Sequence, residues 1–175
     1  MLFLLRCVGV INAAIWFGAT FFLCIVLGPS FTSDQMLSIL PPSHSGRALQ
    51  IVLERDFVLQ CWCGGIALVH LLVEWLYTGK PLRPWAAYLV LGLLGLALVR
   101  GFWLEPKVKR LHLDVYGMRS TPQQREHARV PLKVWGDVAG IMRVLLACGL
   151  LAHLLQVSST ESSSRFLLGA AKFKG

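Results

Sequence analysis

The sequence predicts an all-α membrane protein, with four transmembrane helices in an antiparallel bundle and the second helix lengthened by an interfacial amphipathic section. Three observations carry this. Of 175 residues, 55% are hydrophobic and only 15% charged, where soluble domains carry roughly 25%. Four apolar runs are each long enough to cross about 30 Å of hydrocarbon as a helix. The 17 Lys and Arg, against 9 Asp and Glu, lie mostly between those runs. A net charge of +8 so placed addresses the lipid bilayer and topology, and nucleic acid is not expected as a partner. Four spans use about half the chain, which leaves one four-helix domain over 1–157 and a polar, basic tail over 158–175.

The first span, TM1, is residues 8–27, with Arg6 before it and Gly28-Pro29 expected to end it. A secretory signal also opens on a basic residue, but its apolar core is about 7 to 15 residues and ends at a small-x-small cleavage site. Leu27-Gly28-Pro29-Ser30 supplies no such site, so a retained helix is expected. The Ser-rich stretch 30–45 with Pro41-Pro42 reads as a loop, with Ser43 or Ser45 as N-caps.

A long proline-free run follows from Gly46 to Tyr77. Its first turns mix Arg47, Gln50, Glu54, Arg55 and Asp56 with apolar residues, so they should lie at the interface, and TM2 is placed at 57–77. Gly79-Lys80-Pro81-Leu82-Arg83-Pro84 makes a turn, since neither helix continues through two prolines and a glycine. TM3 is 85–104, closed by Pro106. Residues 107–133 hold seven basic residues and form an exposed connector that has room for a short amphipathic helix. TM4 is 134–155, and Ser158 to Ser164 reads as a polar linker to a surface-lying end.

Tryptophans favour the head-group level. Trp75 and Trp85 flank the TM2–TM3 turn and Trp103 and Trp135 flank the connector, whereas Trp16 and Trp62 fall within spans and read as packing residues. Nine basic residues on the connector side against six on the side of the termini tilt the connector toward the cytoplasm. No inverted repeat of the transporter kind is evident.

Charges within spans are costly, at roughly 2.5 to 3.5 kcal/mol each, so Arg100, Asp137 and Arg143 each need an account. Arg100 lies four residues before the end of TM3, and Asp137 is the fourth residue of TM4. Both therefore sit about one turn deep on the same side, and an Arg100–Asp137 ion pair is expected; an anion or proton site there, or simple snorkelling, is the alternative. Arg143 lies about 14 Å into TM4, and Asp137, Asn12, a backbone carbonyl, a cofactor carboxylate or a neighbouring subunit all remain open as its partner. Gly136 and Gly140 on TM4 and Ala14 and Gly18 on TM1 have helix-packing spacing.

His70 on TM2 and His153 on TM4 are candidate ligands for haem or a chlorophyll-type pigment. They differ by six positions in depth, or about 9 Å, which weighs against a shared haem. The five cysteines form no metal motif, and Cys61 and Cys63 point to opposite helix faces. No GxSxG, HExxH, Walker A or GxGxxG occurs, so no catalytic chemistry is indicated.

Trp16-Phe17-Gly18, Phe21-Phe22 and Val26-Leu27-Gly28-Pro29-Ser30-Phe31 in TM1, Gly46-Arg47-Ala48 ahead of TM2, and Phe102-Trp103-Leu104-Glu105-Pro106-Lys107 after TM3 resemble the bacterial four-helix membrane domain of unknown function that groups with transmembrane protein 205. The resemblance covers about 150 residues and implies a multi-pass protein of the bacterial inner membrane. The family's asparagine before the TM3-end proline and its histidine at the start of TM4 stand here as Gly101 and Trp135, so no site residue carries over. With no catalytic motif, the expected function is that of an accessory or scaffolding subunit of a larger membrane complex. A cofactor-carrying subunit and a small transporter or channel, the latter needing a polar path through Asn12, Asp137 and Arg143, are the alternatives.

Overall fold

A computed structural model describes residues 2–78, 84–117 and 120–172, with side chains over 4–77, 84–117 and 120–159. Among the described residues every regular element is helical. They are α1 (Leu2–Phe22), α2 (Gly28–Thr32), α3 (Asp34–Ile39), α4 (Pro42–Thr78), α5 (Pro84–Val99), α6 (Glu105–Tyr116) and α7 (Pro122–Lys172), with π-helical turns at Leu23–Leu27 and Arg100–Leu104. Four helical stretches, Leu4–Thr32, Pro42–Tyr77, Pro84–Tyr116 and Pro122–Ser159, are long and apolar enough to cross a membrane. The predicted turn at 79–84 lies, but for Pro84, outside the described residues.

The prolines expected to end TM1 and TM3 do not end them. Pro29 and Pro106 each sit two residues after a π turn, which is closed by a bond from the Gly28 N–H to the Leu23 carbonyl and from the Glu105 N–H to the Arg100 carbonyl. A proline clashes with the carbonyl four residues back, and the wider five-residue turn gives it room. Both helices therefore run on past their prolines.

The connector is more regular than its composition suggests. After α6 closes at Gly117, whose N–H bonds to the Leu113 carbonyl at 2.7 Å, α7 opens on a reciprocal cap. Thr121 Oγ1 accepts from the Gln124 N–H at 3.4 Å, and Gln124 Oε1 accepts from the Thr121 N–H at 3.1 Å, with Pro122 at the first helical position. From there α7 is continuous through Ser158 to Ser164, where a linker was expected. Likewise α4 begins at Pro42, ahead of both expected caps. At 37 residues, or about 55 Å, α4 far exceeds the hydrocarbon thickness.

In the bundle α1 and α5 each pack against both α4 and α7, so α1 and α5 stand at opposite corners and run parallel. Trp16, Cys63, Ala67, Val90, Leu93, Ala97, Leu146 and Leu150 form the core, drawn from all four helices. Close approach rests on glycines outside the Gly136–Gly140 and Ala14–Gly18 pairs; of the glycines expected to allow it on TM2 and TM3, Gly64 does and Gly65, Gly92 and Gly95 have nothing within 4 Å. A Cβ at Gly9 would strike the His70 ring, one at Gly64 would strike Leu94, and one at Gly101 the Phe57 ring, whereas Gly18, Gly136 and Gly140 have nothing within 4 Å. Ala14, Gly18 and Gly136 are exposed, so the small-residue motifs on α1 and α7 face away from the bundle. Trp62 also points outward, at 70% exposure, and is no packing residue within the chain.

Candidate functional site

The two π turns sit at the connector end of parallel helices, and polar residues from all four helices gather between them. Arg100, at 1% exposure, reaches α4: its Nη2 donates to Asp56 Oδ2 at 2.7 Å. The same carboxylate oxygen accepts from Gln60 Nε2 at 2.6 Å. On the other side Arg100 Nε lies 3.3 Å from Glu105 Oε1. Arg143 of α7 lies within electrostatic range of Arg100, Asp56 and Glu105, and of Cys24 in the first π turn.

The ion pair predicted between Arg100 and Asp137 is not formed. Asp137 is at the right level but on the wrong face: it is exposed on α7, next to outward-facing Gly136. Asp56 instead lies within the bundle at 6% exposure. It was assigned to an interfacial section because three charged residues in a row seemed to bound TM2. In the fold Glu54 points out and pairs with Lys109 at 2.5 Å, while Asp56, two residues on, turns inward.

Glu105 was missed for a geometric reason. Residues five apart lie about 140° apart on a regular helix at 100° per residue; the π turn between Arg100 and Glu105 closes that angle and stacks the two side chains. The one sequence signal was Pro106, one residue beyond.

The cluster balances in charge, two carboxylates against two guanidinium groups, but not in hydrogen bonds. Asp56 Oδ1, Gln60 Oε1 and Glu105 Oε1 have no hydrogen-bond acceptance from the chain, and Arg100 Nε and Nη1 and Arg143 Nε have no acceptor, although all six atoms are buried. Counting the Arg100–Glu105 ion pair still leaves two oxygens and two nitrogens unmet. Buried polar atoms are normally satisfied, each unmet one costing about 1 to 3 kcal/mol, so the cluster is built for more than its own internal contacts.

A second polar layer lies deeper, toward the termini. Trp16 and His153 meet edge to face with ring centroids 6.4 Å apart, and Trp16 Nε1 and His153 Nδ1 are buried with no partner. His70 is engaged differently: its Nε2 bonds to the Leu5 carbonyl at 3.0 Å, with its ring against Gly9. That nitrogen is taken in this arrangement, whereas His153 Nδ1 is a buried ring nitrogen with no partner on the described chain. Asn12 donates to the Cys63 carbonyl at 2.9 Å, which ties α1 to α4. Asn12, Asp137 and Arg143 therefore do not line a polar path: Asn12 is locked to backbone and Asp137 faces out. Among the described residues no three His, Cys, Asp or Glu are grouped to hold a metal ion.

At the connector edge Lys107 Nζ sits 3.5 Å from the Trp135 ring centroid and 5.3 Å from that of Trp103, and the two indoles pack edge to face at 5.7 Å. This places Trp103 and Trp135 at one level, as expected of an interfacial pair.

A family model described as a domain of unknown function, DUF4149, matches residues 11–116. The chain belongs to this family. The match takes in Cys24, Asp56, Gln60, Arg100 and Glu105, both π turns included, while Arg143 and His153 lie beyond it. No curated protein and no solved structure matches the chain.

Proposed function

We propose that this DUF4149 protein is a non-enzymatic, multi-pass membrane protein of transporter type, which binds a small polar species between α1, α4, α5 and α7 at the Asp56–Arg100–Glu105–Arg143 cluster. The observation that carries the reading is the set of buried, charge-balanced side chains from several helices whose remaining hydrogen-bonding atoms point to no partner on the chain. Intramembrane ionisable groups that face a bundle interior are rare and costly, and mark a functional site such as a solute or ion pathway by default. Glu105, whose side chain is 15% exposed, is the edge of the cluster open toward the connector. Ala97, Leu93, Leu146 and Leu150 close it from the terminal side, so release across the membrane requires the helices to part at that layer.

The test is passage across vesicles that hold the purified chain, assayed for protons, small monovalent cations and anions, and short carboxylic acids. At least one class is expected to cross faster than in empty vesicles, with the gain lost in Asp56→Asn. Rates equal to empty vesicles for every class overturn the reading.

A second reading, that of an accessory subunit of a membrane complex, is favoured by a different observation. Gly136 and Gly140 face outward with exposed Asp137 between them, which is a small-residue face with a carboxylate that lipid would leave unmatched. Co-purification of a second membrane protein that is lost in Gly140→Leu supports it. The likeness to transmembrane protein 205, a bacterial inner-membrane location and a cytoplasmic connector belong to this proposed reading as well.

A further inference from the structure

We infer that the species handled by this site is the proton, carried on water between two buried titratable stations, Asp56 with Glu105 at one and His153 at the other. The inference rests on the transporter reading above and names its substrate. Its first ground is the count of unmet atoms. The cluster offers both unfilled acceptors, on Asp56, Gln60 and Glu105, and unfilled donors, on Arg100 and Arg143. A bare anion satisfies only the donors and a bare cation only the acceptors, whereas water does both. Two carboxylates facing two guanidinium groups also leave no net field that selects an ion of either sign.

The second ground is the deeper layer. His153, 5% exposed and with Nδ1 unmet, is the one buried histidine of the bundle, and His153 and Arg143 are ten residues apart on one helix, or about 15 Å. Only the apolar layer of Ala67, Leu93, Leu146 and Leu150 separates the two stations. Apolar constrictions of this kind open and close by wetting. The groups that face the route are Cys24 from the first π turn, Asp56, Gln60, Cys63 and His70 from α4, Arg100 and Glu105 from the second π turn and α6, and Arg143 from α7, with Glu54 near the mouth and Cys148 exposed on the outer side of α7.

The transfer balances. Glu105 takes a proton from bulk hydronium at the exposed edge. A bridging water accepts that proton while giving one of its own to Asp56 Oδ1, so the water is unchanged, Glu105 is again a carboxylate and Asp56 is neutral. When water enters the apolar layer Asp56 gives its proton through it to His153, which becomes imidazolium and releases the proton toward the terminal side.

The experiment uses the full chain in vesicles containing a pH-sensitive dye, with a potassium gradient and valinomycin supplying the driving potential. Proton entry above that of empty vesicles is expected, falling to the empty-vesicle level in Asp56→Asn and in His153→Gln, and returning in Asp56→Glu. Infrared spectra of the wild-type protein supply a readout that needs no variant to fold: on lowering the pH a buried carboxylic-acid band should rise, and its failure to rise overturns the inference. Proton entry equal to empty vesicles, or entry undiminished in both variants, overturns the inference. If another ion crosses and protons do not, the inference falls while the transporter reading stands; if nothing crosses, both fall.

Discussion

Replacing Asp56 by leucine removes the carboxylate that accepts from both Arg100 at 2.7 Å and Gln60 at 2.6 Å. Arg100 stays, 99% buried by its 1% exposure, with only the 3.3 Å approach of Glu105 to offset its charge. Breaking a buried pair by deleting one partner costs about 3 to 5 kcal/mol. For a chain of this size, where 1 kcal/mol moves the midpoint by about 2 to 4 °C, the thermal transition should fall by about 6 to 20 °C. The assay is thermal unfolding in mild detergent, followed by circular dichroism, of Asp56→Leu, Arg100→Leu and the double variant. The double variant should recover most of the loss, because replacing both partners by apolar side chains removes the uncompensated charge. A single variant within about 1 kcal/mol of wild type, or a double variant no better than Asp56→Leu, would refute the pairing.

Asp137→Leu, by contrast, touches an exposed side chain with no ion pair among the described residues, and its unfolding free energy should stay within about 0.5 kcal/mol of wild type. Gly101→Val drives a side chain into the Phe57 ring and should cost about 1 to 3 kcal/mol, read by the same thermal assay. Gly136→Leu and Gly140→Leu meet open space and should leave the isolated chain's midpoint unchanged while reducing recovery of any co-purifying membrane protein. Lys107→Ala removes the cation over Trp135 and Trp103; it should cost about 0.5 to 1 kcal/mol and shift tryptophan emission.

The four apolar helices were legible from hydropathy and length alone, because a backbone in lipid has few ways to satisfy its hydrogen bonds. Arg100 and Arg143 were legible as residues in need of partners, because the cost of a buried charge is set by chemistry and not by fold. The partners themselves were not legible. Asp56 stands beside Glu54 and Arg55, and a run of three charges looks like the end of a span; only the helical phase, fixed by packing against α1 and α5, separates outward Glu54 from inward Asp56. Glu105 depended on a π turn, for which composition carries no direct signal, although Leu27-Gly28-Pro29 and Leu104-Glu105-Pro106 show the same proline placement two residues past each turn. The small-residue motifs gave the correct kind of face but not its direction, since GxxxG spacing is identical whether it meets a neighbour in the chain or one outside it. Trp62 failed in the same way.

The claim on which the account rests is that the Asp56–Arg100–Glu105–Arg143 cluster is a hydrated site reached from the connector end, and not a dry internal lock. In a chain whose five native cysteines are replaced by serine or alanine, Gln60→Cys places a thiol at the cluster and Leu150→Cys places one in the apolar layer beneath it. A membrane-impermeant thiol reagent applied from the connector side should modify the first and spare the second, with modification from the opposite side slow for both. A Gln60→Cys thiol as inert as Leu150→Cys from either side would contradict the account and leave the cluster a sealed structural pair.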